Sequence, residues 1–131
     1  MTFELTILAL AGLLHIAQFA LASYMANVDV GPRYTTSPRD RMPSREMRTT
    51  TARLLRAYDN SAVMLPLFGL GVVIITLSDQ STALTRGAAA LYLAARAAYT
   101  PAYAFGWQPW RSYIWLVAMA CCAALFLAAL I

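Results

Sequence analysis

Two stripes of polar side chains in this apolar chain have types and spacings that could do chemistry. They recur at helical spacing: Arg53, Arg56 and Asn60 in one segment, and Tyr92, Arg96, Tyr99 and Tyr103 in a later one. Separations of three, four and seven residues place side chains on one face of an α-helix. Guanidinium groups bind carboxylates and phosphates, and phenol hydroxyls donate hydrogen bonds to anions or thiols. The stripes therefore predict a shared cavity for an anionic molecule or a thiol.

Catalysis by side-chain acids, bases or metals finds no support in the chain. The sequence holds no Ser-His-Asp arrangement, paired-carboxylate site, glycine-rich phosphate loop or cluster of metal ligands, and it has a single histidine. We therefore expect neither acid–base hydrolysis nor a metal site. Positive charge and phenols beside lipid suit a bound thiol cofactor, which brings its own nucleophile.

Composition predicts the elements that position these residues. Of 131 residues, 60% are hydrophobic and 12% are charged, whereas a soluble domain carries about 25% charged residues. Because roughly 20 apolar residues cross a bilayer, this length allows four crossings and excludes a Rossmann-type domain. We predict an all-α integral membrane protein, a single four-helix bundle over 1–131 with transmembrane helices at about 3–26, 51–77, 82–105 and 112–131.

The charged residues predict how the helices cross the bilayer. All ten basic residues are arginine and the net charge is +4, but the arginines interrupt apolar segments, so we expect no nucleic-acid partner. Five arginines fall in the first loop and Arg111 adjoins the third, whereas the middle loop has only Arg86. The positive-inside rule places the first and third loops in the cytoplasm and both termini on the opposite side.

Each polar stripe also has a purely structural interpretation. Arg53 and Arg56 can extend to lipid headgroups. An ion pair between Arg96 and Asp59 would satisfy that guanidinium without a ligand. The tyrosines can be packing or interfacial residues.

Other residues are interpreted as packing or anchoring groups. His15 and Gln18 are predicted to hydrogen-bond across helices, and Cys121 and Cys122 to pack as small residues. The three tryptophans around the third loop are predicted to anchor at the membrane interface. Small residues four apart predict helix contacts: Ala90, Ala94 and Ala98 on the third helix, and Ala120, Ala124 and Ala128 on the fourth.

Three motifs together resemble one known family. RAxxN at 56–60, LPLF at 65–68 and YLxARxxYxxxY at 92–103 are similar to motifs of the membrane-associated proteins in eicosanoid and glutathione metabolism, the MAPEG family. That family includes microsomal glutathione transferases, leukotriene C4 synthase and prostaglandin E synthase. Gly31-Pro32-Arg33 and Arg111-Ser112 resemble the bacterial branch, which implies a bacterial inner membrane.

The resemblance implies a homotrimer with glutathione bound between protomers near the cytoplasmic surface. The family's thiol-activating arginine follows the third helix, where Arg111, about one residue from the family position, is the only candidate. The thiolate would then attack a lipophilic electrophile from the bilayer. The protein would then be a glutathione-dependent transferase or peroxidase. The residues implied to bind glutathione are Arg56, Asn60, Arg96, Tyr99 and Tyr103.

One position of the implied site departs from the family pattern. Family enzymes carry a glutamate three residues after the asparagine, which receives the amino group of glutathione, and here that position is Val63. Loss of this partner weakens glutathione binding. The alternative is a non-enzymatic membrane protein of the same fold that binds a lipid or another anionic amphiphile. A transporter or channel is not favoured, because the pattern lacks broken helices and a ring-forming acidic residue.

Overall fold

The computed structural model describes residues 1–131, and every regular element in it is a helix. The helices are α1 (Phe3–Val30), α2 (Pro32–Thr35), α3 (Thr49–Leu77), α4 (Ala83–Ala104) and α5 (Trp110–Leu130). The four long helices lie in the four predicted segments, and α2 is one turn inside the first loop. The all-α prediction is confirmed.

The largest boundary difference lies at the end of α1, which reaches Val30 instead of ending near residue 26. The residues beyond 26 are partly polar yet helical. The helix ends where Gly31 takes a φ of +87° and Pro32 begins α2. The other long helices begin and end within two residues of the predicted bounds.

The centre of the bundle is formed by α3 and α4, each of which packs on all the other long helices, whereas α1 and α5 lie at opposite corners. The core is apolar and includes Phe68 and Tyr92, whose rings stack with centroids 3.9 Å apart. Gly71 allows α3 to approach α5 closely, because a Cβ there would lie 3.0 Å from Leu125 Cβ. The bundle is therefore held by close packing of small and aromatic side chains.

The predicted packing of small residues is confirmed for the cysteines and for Ala124 and Ala128 of the fourth helix, whereas Ala120 and the alanines of the third helix are exposed in the single chain. Cys121 and Cys122 are buried free thiols in α5, as expected of packing residues. The alanines predicted to pack on the third helix are exposed, because spacing selects a face without saying which face turns inward. The alanines that α4 buries are Ala88, Ala89, Ala95, Ala102 and Ala104.

At the end of the bundle where α1 begins, an acidic side chain is completely buried. Glu4 is 0% exposed, and its Oε1 accepts hydrogen bonds from the hydroxyls of Ser81 at 2.8 Å and Thr85 at 2.6 Å. These bonds join the start of α1 to the turn before α4 and to the first turn of α4. Neighbouring segments of the chain thus satisfy one oxygen of this carboxylate, whereas its Oε2 is buried without a hydrogen-bond partner.

At the opposite end, an ion pair joins α1 to α3 across the first loop. Arg48 Nε lies 2.8 Å from Asp29 Oδ1, and the Arg48 backbone N–H donates to Asp29 Oδ2 at 3.0 Å. Arg39 caps the end of α2, because its Nη2 donates a hydrogen bond at 2.9 Å to the carbonyl of Thr35, the last residue of that helix. These contacts order the beginning and the end of the first loop.

The outer surface of the bundle is apolar. Three helices, α1, α3 and α5, are long and apolar enough to cross a membrane, and α4 is less apolar because it carries Arg86 and Arg96. Large apolar side chains are exposed along the helices, among them Leu13 at 62% and Ile16 at 63%. Contact of water with apolar surface along whole helices is unfavourable, whereas the same surface is stable in the hydrocarbon core of a lipid bilayer. The protein is therefore an integral, multi-pass membrane protein.

Candidate functional site

The ends of α3, α4 and α5 that adjoin the third loop bring two arginines onto one tyrosine. Arg56 Nε donates a hydrogen bond to the Tyr103 hydroxyl at 3.2 Å, and Arg56 Cζ lies 5.8 Å from the centroid of that ring. Arg111 Cζ lies 4.8 Å from the same centroid. Both distances are within the range of cation–π attraction. Tyr103 thus holds one guanidinium from α3 and one from α5.

Two adjacent grooves open around this cluster, and Arg111 lines both. The Tyr103 groove, of about 250 Å³, is lined by Arg53, Arg56, Tyr103, Gly106, Trp107, Gln108 and Arg111. The Trp115 groove, of about 390 Å³, is lined by Asn60, Tyr99, Arg111, Ser112, Trp115 and Leu116. Neither lining contains an acidic side chain, so the grooves offer positive charge and hydrogen-bond donors to an anion.

The turn after α4 shapes the Tyr103 groove. Gly106 has a φ of +68°, and a Cβ at this position would lie 2.9 Å from Arg53 Nη1. The same Nη1 donates to the carbonyl of Ala104 at 3.4 Å. Arg53 therefore packs on the turn instead of extending to headgroups, and the turn favours glycine because of its positive φ.

The Trp115 groove contains an acceptor without a partner. Asn60 Oδ1 is buried and makes no hydrogen bond within the chain. Tyr99, in the same lining, is 1% exposed and meets the Tyr103 ring edge-on with centroids 5.7 Å apart. The groove is thus lined by the Asn60 amide, whose oxygen has no partner within the chain, and by the charge of Arg111.

Arg96 lies apart from both grooves. It is 3% exposed, its Nη2 donates to Ser61 Oγ at 2.7 Å, and its Cζ lies 4.3 Å from the centroid of Tyr99. It lines instead a small, half-open cavity with residues of α1 and α3. Within the single chain, Arg56, Asn60, Tyr99, Tyr103 and Arg111 line the two grooves and Arg96 lines the small cavity beside α1, so the shared cavity for both stripes stays a prediction.

The structural interpretations also have clear outcomes. The only ion pair in the chain joins Asp29 and Arg48, so the predicted pair of Arg96 with Asp59 is wrong. Tyr92 is a packing residue in the core. Gln18 donates to Thr100 Oγ1 at 2.7 Å, which confirms its interhelical hydrogen bond.

His15 does not behave as the sequence predicts. Its ring stacks on Tyr58 with centroids 4.7 Å apart, and its Nδ1 is buried without a hydrogen-bond partner. It lines the same small cavity as Arg96.

Sequence reasoning missed two polar residues of the groove linings and gave Trp115 a different role. Gln108 and Ser112 flank Arg111 in the two grooves, and Trp115 lies one helical turn beyond Arg111. The sequence did indicate that Trp115 belongs to the site of Arg111, because a spacing of four residues places both side chains on one face of α5. Trp107 and Trp110 are 51% and 63% exposed, as interfacial anchors would be.

Comparison with known proteins covers nearly the whole chain. The model of the MAPEG family matches residues 6–131. No curated protein and no solved structure gives a significant match. The family match confirms the resemblance carried by the motifs at 56–60, 65–68 and 92–103. This chain is a member of the MAPEG family.

Proposed function

We propose that this MAPEG protein is a glutathione-dependent transferase or peroxidase that acts on a lipophilic electrophile. The observation that carries the proposal is the convergence of Arg56 and Arg111 on Tyr103, beside grooves without an acidic side chain. Two guanidinium groups with no protein counter-charge are suited to a ligand that supplies the negative charge.

The donors of the two grooves fit the carboxylates and the thiol of glutathione. Arg56 would hold a carboxylate, and Asn60, with its free oxygen, would accept from an amide N–H. Because Arg56 Nε donates to the Tyr103 oxygen, the Tyr103 hydroxyl hydrogen is free to donate to an anion. Bound glutathione supplies the nucleophilic thiol.

Arg111 is the proposed catalytic residue, and its role is electrostatic. A free thiol has a pKa of about 8.5, and a guanidinium beside it favours the thiolate. Tyr99 and Tyr103 shape the site around this charge. Trp115 and Leu116 give the second groove an apolar wall, against which a lipophilic electrophile can rest.

The amino group of glutathione finds no carboxylate in these grooves. Val63 is 65% exposed and stands where family enzymes carry glutamate, and Asp59 lines a different cavity, between α1, α3 and the first loop. Each tenfold loss of affinity corresponds to about 1.4 kcal/mol, so a missing charged partner costs one to two orders of magnitude in Kd. We expect glutathione to bind in the millimolar range.

We further propose that α4 is the fourth span and that the protein is a homotrimer in a bacterial inner membrane. The 22 residues of α4 would cover about 33 Å, enough for a hydrocarbon core of about 30 Å. Its central arginine, Arg96, faces the bundle and not the lipid. The exposed alanine face of α4 suits a close contact between protomers. The first and third loops, which hold most of the arginines, would lie in the cytoplasm.

The test is calorimetric titration of glutathione into the purified protein in detergent. We expect saturable binding that Arg56→Ala weakens about tenfold or more. Arg86→Ala removes an exposed arginine at the other end of the bundle and is the matched control, with unchanged binding. Absence of binding by the unmodified protein at tens of millimolar glutathione would overturn the proposal.

Val63 favours a second candidate, a non-enzymatic member of the fold that binds a lipid or another anionic amphiphile in the same grooves. The side chain of Val63 is apolar and exposed, which suits contact with lipid better than contact with the charged amino group of glutathione. Native mass spectrometry would then detect a retained anionic lipid that Arg111→Ala releases. Conjugation of glutathione at ordinary enzymatic rates by a fully delipidated preparation would contradict this candidate.

A further inference from the structure

A carboxylate without an ion-pair partner stands on the exposed face of α3, next to an arginine of the Tyr103 groove. Asp59 and Arg56 are both exposed, and they are three residues apart in the helix. This spacing sets the two side chains about 60° apart around the helix and about 4.5 Å apart along its axis, where opposite charges can pair. The only ion pair in the chain, however, joins Asp29 and Arg48. Both charges on α3 are therefore left to a ligand.

The direction of the arginine side chain explains why the two charges do not pair. Arg56 Nε donates to the Tyr103 hydroxyl at 3.2 Å, so its guanidinium lies on the α4 side, in the Tyr103 groove. Asp59 lines a cavity of about 290 Å³ between α1, α3 and the first loop. The one arginine in that lining, Arg39, donates to the carbonyl of Thr35. The two charges thus border two cavities, with the exposed ridge of α3 between them.

An ammonium group and a carboxylate on one carbon atom, as in the head of an α-amino acid, match this pair of side chains. The fork of an arginine binds a carboxylate, and an aspartate accepts hydrogen bonds from an ammonium group. Glutathione carries one such head, on its γ-glutamyl residue. Asp59 is the only acidic residue of α3, and Val63, one turn further along the same face, offers the ammonium group nothing.

We propose that Asp59 receives the amino group of the γ-glutamyl head while Arg56 holds the carboxylate of that head. The inference rests on the glutathione binding proposed above, and it assigns the one contact for which the two grooves provide no acid. The head would lie across the ridge of α3. Because Asp59 is exposed, water weakens this ion pair. The contact therefore replaces only part of the binding that a glutamate at position 63 would give.

The test removes the charge first from the ligand and then from the protein. Calorimetric titration in detergent compares glutathione with its des-amino analogue, in which hydrogen replaces the amino group. We expect the unmodified protein to bind the analogue about fivefold more weakly, as the loss of an exposed ion pair predicts. Asp59→Asn keeps the size of the side chain, and it should bind both compounds with the affinity that the unmodified protein has for the analogue.

Asp40→Asn is the matched control for the charge of this end of the bundle. Asp40 is an exposed acid of the first loop and lines neither the Tyr103 groove nor the cavity of Asp59. This variant should retain the full preference for glutathione over the analogue. Loss of the preference in both variants would contradict a specific contact with Asp59.

A double-variant cycle tests whether positions 59 and 63 serve the same group. In Val63→Glu protein the new glutamate takes over the amino group, so the addition of Asp59→Asn should change Kd less than about twofold, whereas independent sites would give the same loss in both backgrounds.

The outcomes separate this inference from the function on which it rests. An unchanged preference for glutathione in Asp59→Asn, together with weaker binding in Arg56→Ala, would overturn the role of Asp59 and leave the glutathione site standing. Absence of glutathione binding by the unmodified protein would overturn both. A preference lost in Asp59→Asn and kept in Asp40→Asn would support the assignment.

Discussion

The two ends of this bundle differ in whether their charged side chains are bonded by other groups of the chain or left open to a ligand. At one end, Glu4 is fully buried, yet the hydroxyls of Ser81 and Thr85 donate to it. At the other end, Arg56 and Arg111 rest on Tyr103 and border grooves without an acidic side chain. At the first end, hydroxyls of the chain satisfy one oxygen of a buried charge, whereas the second end presents its charge to the outside.

This difference separates structural charges from those available to a ligand. The arginine-rich end also contains a structural pair, Asp29 with Arg48, and that pair closes the first loop at 2.8 Å. Acidic partners are therefore present at this end and are directed away from the grooves. The grooves beside Arg56 and Arg111 thus lack an acidic side chain even though acidic residues are present at the same end of the bundle.

The largest expected effect is that of Arg111→Ala on activity. Removal of the guanidinium beside the thiolate should lower kcat/KM for glutathione conjugation about hundredfold, because positive charge at the reacting sulfur is lost. The measurement is the conjugation rate with a lipophilic electrophile in detergent. Arg86→Ala is the control, and an equal loss in both variants would erase the distinction between the two ends.

The next largest effect is expected at the other end, on stability. Glu4→Ala leaves the hydroxyls of Ser81 and Thr85 without their acceptor and should lower the free energy of unfolding by about 2 kcal/mol. Denaturant unfolding in detergent measures it, and Glu4→Gln, which keeps an acceptor oxygen, should lose less. Weaker glutathione binding at unchanged stability would show instead that Glu4 acts on the grooves.

A gain of affinity is expected where the chain departs from its family. Val63→Glu restores the carboxylate that family enzymes carry three residues after the asparagine and should tighten glutathione binding about tenfold, because the amino group gains a charged partner. Calorimetric titration measures Kd, and Val63→Gln is the uncharged control of similar size. Equal affinities of the two variants would contradict the idea that charge at this position limits binding.

The smallest effect is expected from the turn after α4. Gly106→Ala should destabilise the protein by about 1 kcal/mol, because φ is +68° and the added Cβ would displace Arg53. Gly87→Ala is the matched control, since a Cβ there meets nothing within 4 Å and helical glycine is unfavourable. Thermal unfolding of both variants would show opposite signs, and a fall for both would contradict the assigned role of the turn.

The sequence predicted the long helices because their signal is local. Hydropathy marks a membrane segment without knowledge of its neighbours, and the turn at Gly31-Pro32 contains the backbone signal that ends α1. The prediction ended α1 too early because polarity after residue 26 was interpreted as loop. A helix that projects from a bilayer remains helical while it becomes polar.

The candidate site was only half predictable, because spacing defines a stripe and not its neighbours. Tyr92, Arg96, Tyr99 and Tyr103 do share one side of α4, but this helix packs on three others. The first two residues of the stripe therefore meet α1 and α3, and the last two meet α5 and the grooves. Identifying the partner of each residue required the three-dimensional packing of α1 and α5.

The inward position of Arg96 has a consequence for how the chain is assembled in the membrane. An arginine in the middle of a lone helix opposes insertion by about 2.5–3.5 kcal/mol. In the folded bundle this arginine bonds to Ser61 of α3, and only a short turn separates α3 from α4. With α4 as the fourth span, as proposed above, the two helices would enter the membrane as one hairpin, with the serine of the first shielding the charge of the second. Biogenesis of α4 then depends on α3, the helix made just before it.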